Sequence, residues 1–346
     1  MSVRINIAVI SVVAMVGFGV ITLSALQAET LAEALAEAYR TNPDLVAERA
    51  RVRAVDEQVP QALSNWRPQV SLSGRYGFRK LNQETGVGVE TDRTQQPQAV
   101  GVEISQSLFR GFRTQAEIAR AENRIAAARS NLIGAEQGIL LEGVVAYVTV
   151  LRDTAVLELR TNNVGVIEQQ LQATRDRFEV GELTRTDVAQ AESRLARAVA
   201  DRTTAEANLE TSRAAYRKAI GRDPVELQQP ELPPNLPPSE AEAQTLAVEN
   251  NPEVVFADFN ERAARSDVEL RRGELLPTLS LDVTVDRKRD IAGSDIKDTG
   301  SAINARLSVP LYQSGKVYSR IREAKQTASQ RLSELALSKR EAEQKS

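Results

Sequence analysis

The 346-residue chain carries a formal net charge of −3, and only 4% of its residues are aromatic. So few aromatic side chains argue against a large globular core, whereas plentiful alanine and charged residues favour long helices packed through small side chains. The balanced charge offers no basic surface, so no nucleic-acid partner is expected. The absence of histidine and cysteine excludes zinc fingers, disulfides, thiol nucleophiles, histidine acid–base chemistry and most transition-metal sites. No paired-carboxylate motif supports a hydrolase, so we expect no enzymatic activity, metal or cofactor.

The first 28 residues have the pattern of a secretory signal peptide. Arg4 precedes an apolar run from Ile5 to about Leu26, and the small residue Ala28 closes the segment. Leu26 stands where a small residue is usual and the apolar run is long, so an uncleaved membrane anchor is the alternative. After residue 30 no stretch is apolar enough to cross a bilayer as a helix.

Three sequence anchors recur in one order and indicate a duplicated unit of about 200 residues. Two pairs, Asn42-Pro43 with Asn251-Pro252 and Pro68 with Pro277, are offset by 209, and the segments 104–113 and 307–316 are offset by 203. We therefore predict a first repeat over 29–223, a proline-rich linker over 224–240 and an incomplete second repeat over 241–346. The missing half of the second repeat suggests a C-terminally truncated version of a longer design, unable to form a sealed duct alone.

Helix signals recur in both repeats. Asn42 and Asn251 each stand before a proline that suits the first position of a helix. The predicted helices of the first repeat span 43–65, 112–178 and 184–220, with a turn at 179–187. Those of the second repeat span 252–275 and 314–346. The helix 112–178 is about 100 Å long at 1.5 Å per residue, which suits a rod better than a globule.

Two β-hairpins are predicted, one at 69–107 with a polar loop at 80–97, and one at 278–309. Their strands match the length of tilted transmembrane β-strands, although a soluble sheet with one wet face is the alternative. Four strands are too few to close a barrel and an open edge is not tolerated in lipid, so a membrane barrel must be shared between subunits. The residues expected to face lipid are Val70, Leu72, Tyr76, Phe78, Val100, Val102, Ile104, Leu279, Leu281, Val283, Val285, Ile303 and Leu307.

The signal peptide, the duplication and the motifs WRPQVSLSG, SQSLFRGFR and VGELTRTDVAQA together resemble the TolC family of outer-membrane efflux and secretion proteins. The likeness is greatest to the type I secretion members and covers residues 30–346. It implies a mainly α protein with membrane β-structure. In a homotrimer, each subunit would give four strands to a shared 12-stranded barrel in outer-membrane lipid, and coiled-coil helical hairpins would form a long periplasmic α-barrel.

The predicted turn at 179–187 matches the pattern that this family carries at its periplasmic tip. The resemblance implies docking of a periplasmic adaptor (membrane fusion protein) there, and an aspartate that helps hold the pore closed. Helix capping is an equally good account of the same residues: Gly181 suits a helix C-cap, Thr184 or Thr186 an N-cap, and Asp187 the positive helix end. The matching residues are Val180, Gly181, Thr186, Asp187, Val188 and Ala191.

The function expected from this resemblance is a passive exit duct that works with an adaptor and an inner-membrane ABC or proton-driven pump. Protein secretion and drug efflux both remain open. The alternative is an adaptor-like periplasmic coiled-coil protein without a membrane barrel. Two single residues are also open: Trp66 suits a membrane interface or plain packing, and Arg202 interrupts an apolar seam at a wet or pore-facing position.

Overall fold

The computed structural model describes residues 28–85, 89–231, 238–291 and 296–345, with the backbone alone for 81–85 and 89–93. The predicted signal peptide lies outside the described residues except for Ala28. Among the described residues, no helix has both the length and the apolar character needed to cross a membrane. The helices are α1 (Leu31–Thr41), α2 (Pro43–Asp56), α3 (Gln58–Ser64), α4 (Arg113–Glu179), α5 (Arg185–Ile220), α6 (Glu240–Asn250), α7 (Pro252–Gly273) and α8 (Lys316–Lys345).

The chain divides into two compact units. The first comprises the chain as far as Ala34, together with Thr149–Arg217 and Arg222–Pro230, and the second comprises Leu35–Val148, Lys218–Gly221 and the chain from Glu231 onward. The second unit contains all the described strands: β1 (Gln69–Tyr76), β2 (Arg79–Thr85), β3 (Val89–Gln95), β4 (Gln98–Phe109), β5 (Thr278–Arg289) and β6 (Lys297–Ser308).

The first unit is an antiparallel helical hairpin made by the end of α4 and most of α5. The ion pairs Arg175–Glu192 at 2.7 Å and Arg160–Asp201 at 3.6 Å join the two helices. Its buried seam interleaves large and small side chains, as close helix packing requires. The buried residues are Val150, Asp153, Val164 and Leu171 on α4, and Ala198, Ala205, Leu209, Ser212 and Tyr216 on α5.

A buried polar cluster closes the other end of this first unit. Glu29 is 5% exposed, and its Oε1 atom accepts hydrogen bonds from the Tyr216 hydroxyl and the Arg222 guanidinium, each at 2.7 Å. The backbone of Glu29 forms a parallel bridge with Leu227. This bridge lies in the segment 224–240 that was expected to be an unpaired linker. Of that segment, residues 232–237 are outside the described residues.

In the second unit, both repeats start their helices in the same way. The Asn42 side chain accepts a hydrogen bond from the Asp44 N–H at 2.9 Å, and the Asn251 side chain accepts one from the Glu253 N–H at 2.8 Å. In each case a proline follows the asparagine at the first helical position, where its missing N–H costs nothing.

The single helix predicted over 43–65 is wrong, because the structure has two helices there. α2 ends at Asp56 and α3 begins at Gln58. The break is at Glu57. Pro60 stands four residues after Asp56, so it has no N–H to donate to the Asp56 carbonyl, and its ring would press against that carbonyl. The second repeat has no proline at the matching position and keeps one helix, α7.

The four long strands form one antiparallel sheet in the order β1-β4-β5-β6. The polar loop predicted at 80–97 is also wrong, because β2 and β3 pair there as a separate two-stranded sheet, from Arg79 opposite Gln95 to Thr85 opposite Val89. An antiparallel ladder is made by backbone groups, so polar side chains do not prevent it.

Both hairpins of the four-stranded sheet use one register. Val70 stands opposite Ile104 in the first hairpin, and their equivalents in the repeat, Leu279 and Leu307, stand opposite each other in the second. The turn after each hairpin also recurs, with two successive residues at positive φ. These are Gly111 (62°) with Phe112 (60°), and Ser314 (50°) with Gly315 (74°).

Candidate functional site

The turn between α4 and α5 begins with a helix C-cap of the Schellman type. The Gly181 N–H donates to the Phe178 carbonyl at 3.0 Å, and the Glu182 N–H donates to the Arg177 carbonyl at 2.9 Å. Gly181 has φ +84°, a left-handed conformation that glycine adopts without a Cβ penalty. An ion pair between Arg177 and Glu182 at 3.0 Å ties the turn to the last turn of α4.

Helix α5 begins with a reciprocal capping box between Thr184 and Asp187. The Asp187 Oδ2 atom accepts from the Thr184 N–H at 2.8 Å and from the Thr184 hydroxyl at 2.7 Å. In return, the Thr184 hydroxyl oxygen accepts from the Asp187 N–H at 3.3 Å. The backbone hydrogen bond, followed by the hydroxyl hydrogen bond, holds the pKa of Asp187 below its ordinary value. Thr184, not Thr186, is therefore the N-cap.

The six residues predicted for this turn do not all share one surface. Val180 is 73% exposed and Thr186 is also exposed, whereas Val188 and Ala191 are partly covered. Asp187 and Ala191 line a cavity of about 160 Å³ together with Leu171 and Leu183. The sequence interpretation missed Leu183 and left the choice of cap open, although the spacing Thr-x-x-Asp from Thr184 was a signal for the capping box.

The four-stranded sheet brings the predicted lipid-facing residues to one face. Two cross-strand rows show this alignment: Val70, Ile104, Val283 and Ile303, and next to it Leu72, Val102 and Val285. Several of these side chains are far more exposed than a protein core allows, such as Leu72 at 75% and Ile303 at 73%. Phe78 lies beyond the end of β1, where its ring meets that of Tyr76 edge to face with centroids 5.8 Å apart.

The opposite face of the sheet is polar. The Ser105 hydroxyl donates to Asp282 at 2.7 Å, and Lys288 pairs with Asp286 at 2.8 Å. The exposed apolar face extends over several strands, which in a soluble monomer would be an unusually large uncovered patch. Among the residues that the structure describes, no strand pairs with the outer side of either edge strand, β1 or β6.

The two single residues left open by the sequence have these surroundings. Trp66 is 48% exposed and, with Phe109 and Phe112, lines a cavity of about 280 Å³ where α3 passes into β1. Its carbonyl accepts a hydrogen bond from the Gln106 side chain at 2.6 Å. Arg202 is half-exposed and pairs with Glu206 on its own helix at 3.2 Å.

A sheet with one exposed apolar face and open edges, in a chain that also carries long coiled-coil helices, defines the class of outer-membrane channel proteins. The profile of the outer membrane efflux protein family matches residues 34–222 and 244–344. The chain therefore belongs to the outer membrane efflux protein family. Its members are outer-membrane channels and not enzymes, and the predicted family, location and mainly helical fold class are confirmed.

Individual relatives agree with the family. The outer membrane efflux protein BepC of Brucella suis biovar 1 (strain 1330) is 35% identical over 312 residues, which cover 90% of this chain and 67% of that protein. The outer membrane protein TolC of Vibrio cholerae serotype O1 is 27% identical over 312 residues, which cover 87% of this chain and 69% of that protein. The chain thus spans about two-thirds of the length of these curated relatives.

A solved structure shows the same fold at low sequence identity. A crystal structure of a membrane protein from Pseudomonas aeruginosa matches with a TM-score of 0.78 at 16% identity, covering 90% of this chain and 74% of that one. The arrangement of helices and strands is therefore common to sequences that have diverged widely.

Proposed function

We propose that this chain is the subunit of a passive outer-membrane exit duct that carries small molecules out of the cell as part of an efflux assembly. The observation that carries the proposal is the exposed apolar face of the four-stranded sheet, combined with the open edges of β1 and β6. Unpaired backbone groups cost several kcal/mol each in hydrocarbon, so these edges call for partner strands. Further copies of the chain supply them.

The number of copies in this proposal is three. Three four-stranded sheets give a 12-stranded barrel, which is the number that the TolC-family resemblance implies. The apolar face, including Val70, Leu72 and Ile303, would contact outer-membrane lipid. The polar face, with Asp282 and Asp286, would line the interior of the barrel, because strands of membrane barrels alternate apolar residues that face lipid with polar residues that face the interior.

The partners in this proposal are a periplasmic adaptor, bound at the α4–α5 turn, and an inner-membrane pump behind it. Val180 and Thr186 expose an apolar and a polar side chain at this turn. The Schellman cap and the capping box hold the turn rigid, so a partner would not have to order it on binding. Efflux is favoured over type I protein secretion because the family and BepC are both described by efflux.

The proposal is tested in a strain that lacks its own channel of this kind. Restored export of a fluorescent drug by this chain would support the proposal and would overturn the sequence-based expectation that the chain cannot form a sealed duct alone. The protein should remain in the outer-membrane fraction after osmotic shock. Val180→Glu should abolish export with unchanged protein level in that fraction, because a charge is placed on the docking turn. The control Thr204→Glu adds the same charge at an exposed position of α5 and should leave export intact.

Each part of the proposal has its own contrary result. Full export by Val180→Glu would rule out docking at this turn. Release of the unmodified protein by osmotic shock would instead support the adaptor-like alternative without a membrane barrel. Export of a protein substrate, with no change in drug accumulation, would assign the duct to type I secretion.

A further inference from the structure

We propose that β6 of one copy pairs antiparallel with β1 of a second copy in one defined register, with Leu307 opposite Gly74 and Ala305 opposite Tyr76. This inference rests on the proposed shared barrel but goes beyond it, because it states which residues meet. It uses only the duplication inside the chain and the strand pairing that the chain already contains.

The first step is that the two hairpins are equivalent residue by residue. Adding 209 to a β1 position gives its β5 equivalent, and adding 203 to a β4 position gives its β6 equivalent. These offsets convert the β1–β4 pairs into observed β5–β6 pairs: Val70 opposite Ile104 becomes Leu279 opposite Leu307, and Leu72 opposite Val102 becomes Leu281 opposite Ala305. The offsets found in the sequence thus describe the strand pairing as well.

The second step is that the chain contains one example of the junction between successive hairpins. The last strand of the first hairpin, β4, pairs with the first strand of the second, β5. In this junction Ile104 stands opposite Val283 and Gln106 opposite Leu281, and after a bulge Phe109 stands opposite Leu279. The open edges β6 and β1 are the equivalents of β4 and β5, so they are able to form the same junction between two copies.

The third step transfers this register from the in-chain junction to the open edges. Applying the two offsets to the β4–β5 pairs places the apolar-face residues of β6 opposite those of β1. Within the strands, the resulting pairs are Ala305 with Tyr76 and Leu307 with Gly74. Continued just beyond the strand ends, the same register gives Ile303 with Phe78, Val309 with Leu72, and Tyr312 with Val70.

The two pairs that lie within the strands, Leu307 with Gly74 and Ala305 with Tyr76, are complementary in size. Leu307 meets Gly74, where a Cβ would have nothing within 4 Å, and the ring of Tyr76 meets the small Ala305. Such large–small pairs fill a cross-strand surface without overlap. Several of these paired residues are also strongly exposed in the single chain, including Leu307 at 66% and Tyr76 at 64%.

Two features distinguish this junction from the in-chain one. On the polar face, Arg75 would stand opposite Arg306, whose guanidinium is 3.9 Å from Asp282 in its own chain. At the turn, Gly111 and Gly273 approach so closely that a Cβ on Gly111 would lie 2.5 Å from the Gly273 carbonyl oxygen. The equivalents of Gly111 and Gly273 are Ser314 and Ser64, which carry side chains. In the junction between copies, the turn after β6 must therefore lie farther from the end of α3 than the turn after β4 lies from the end of α7. The strands themselves keep their register.

The register can be tested by cysteine cross-linking, because the natural chain has no cysteine. The matched variant carries Leu307→Cys and Gly74→Cys. Two shifted variants, Leu307→Cys with Leu72→Cys and Leu307→Cys with Tyr76→Cys, place the partner two residues away on the same face. After oxidation in outer membranes, the matched variant should form disulfide-linked multimers at least about five-fold faster, since opposed residues lie within disulfide reach and diagonal ones lie at its limit.

A second matched pair, Ala305→Cys with Tyr76→Cys, checks the same register should the cysteine at Gly74 impair folding. Faster cross-linking of a shifted pair, or no multimers in any variant, would overturn the inference. Membrane fractionation of the same samples separates this failure from failure of the proposed channel. Protein that stays in the outer membrane with a different register refutes only the inference, whereas protein released as a soluble monomer refutes both.

Discussion

At the scale of single residues, Asp187 shows how one side chain can satisfy both a structural and a functional interpretation. Both Thr184 donors are directed at one oxygen of its carboxylate, so capping α5 occupies that oxygen. The other oxygen is not held by this capping box and is the atom that a partner or a neighbouring copy could reach. A gate that used the shared oxygen would have to open the first turn of α5.

The first prediction concerns the titration of Asp187. The Thr184 backbone and hydroxyl hydrogen bonds lower the pKa of Asp187 in the folded protein. The cap therefore stabilises α5 fully above the ordinary aspartate pKa of about 3.9. This stabilisation is lost as the pH falls through the lower pKa of the folded protein. Carbon-13 NMR of the Asp187 carboxyl should therefore show a midpoint below that of a free aspartate, and no change at neutral pH.

Variants of the two neighbouring threonines serve as the matched controls for this titration. Thr184→Ala removes the hydroxyl donor and should raise the midpoint toward the ordinary value, while leaving the backbone donor in place. Thr186→Ala should leave the midpoint unchanged because Thr184 is the cap. An identical midpoint in Thr184→Ala and in the unmodified protein would show that the hydroxyl contributes nothing.

At the scale of elements, the closest backbone contact described above joins the turn after β4 to the end of α7. A Cβ on Gly111 would lie 2.5 Å from the Gly273 carbonyl oxygen, and one on Gly273 would lie 2.4 Å from the Gly111 carbonyl oxygen. The turn at Gly111 needs positive φ as well. Two glycines thus let a strand end and a helix end meet at backbone distance, and this meeting fixes where the second hairpin starts beside the first.

The second prediction is that Gly111→Ala destabilises the protein much more than Gly315→Ala. Both glycines have positive φ, which costs alanine roughly 1–2 kcal/mol. Only at Gly111 would the added methyl also overlap with backbone atoms, whereas Gly315 has nothing within 4 Å. The thermal unfolding midpoint of purified protein should fall clearly further for Gly111→Ala. Equal shifts would show that the close approach is not needed for stability.

The elements were predictable from the sequence where side-chain pattern controls them. The Asn-Pro helix starts and the alternation of Val70 and Leu72 are such cases, because capping and face selection act through side chains. The pairing of β2 with β3 was not predictable in this way, since the backbone makes it. The break before Pro60 could have been predicted from the proline itself, because proline disrupts the preceding helical turn. The prediction of one helix over 43–65 did not include this effect.

At the scale of the whole molecule, the proposed insertion into the outer membrane depends on the four-stranded sheet. Within the described part of one copy, its apolar face is exposed and its two outer strands lack neighbours on one side. The sequence predicted the apolar residues and their alternation, but not which rows they form, since that depends on a register set by strand pairing. The proposed number of three copies comes from the family resemblance, because the geometry of one chain does not determine it.

The third prediction is that a charge on the apolar face prevents assembly in the outer membrane. Leu72→Lys should sharply reduce the protein recovered in outer membranes, because a lysine facing lipid costs about 2–4 kcal/mol at mid-depth. Ser71→Lys adds the same charge on the other face, opposite Glu103, and should leave recovery near normal. Equal losses from both variants would contradict the assignment of the two faces.

The Glu29 cluster also bears on the order in which the chain folds. Glu29 is among the first residues after the predicted signal peptide, yet its hydrogen-bond partners Tyr216 and Arg222 and its backbone partner Leu227 come almost 200 residues later. If the predicted signal peptide directs export from the N-terminus onward, Glu29 would cross the inner membrane long before these partners. Its carboxylate would then stay hydrated until they arrive, and closing this contact would be a late, long-range event in folding.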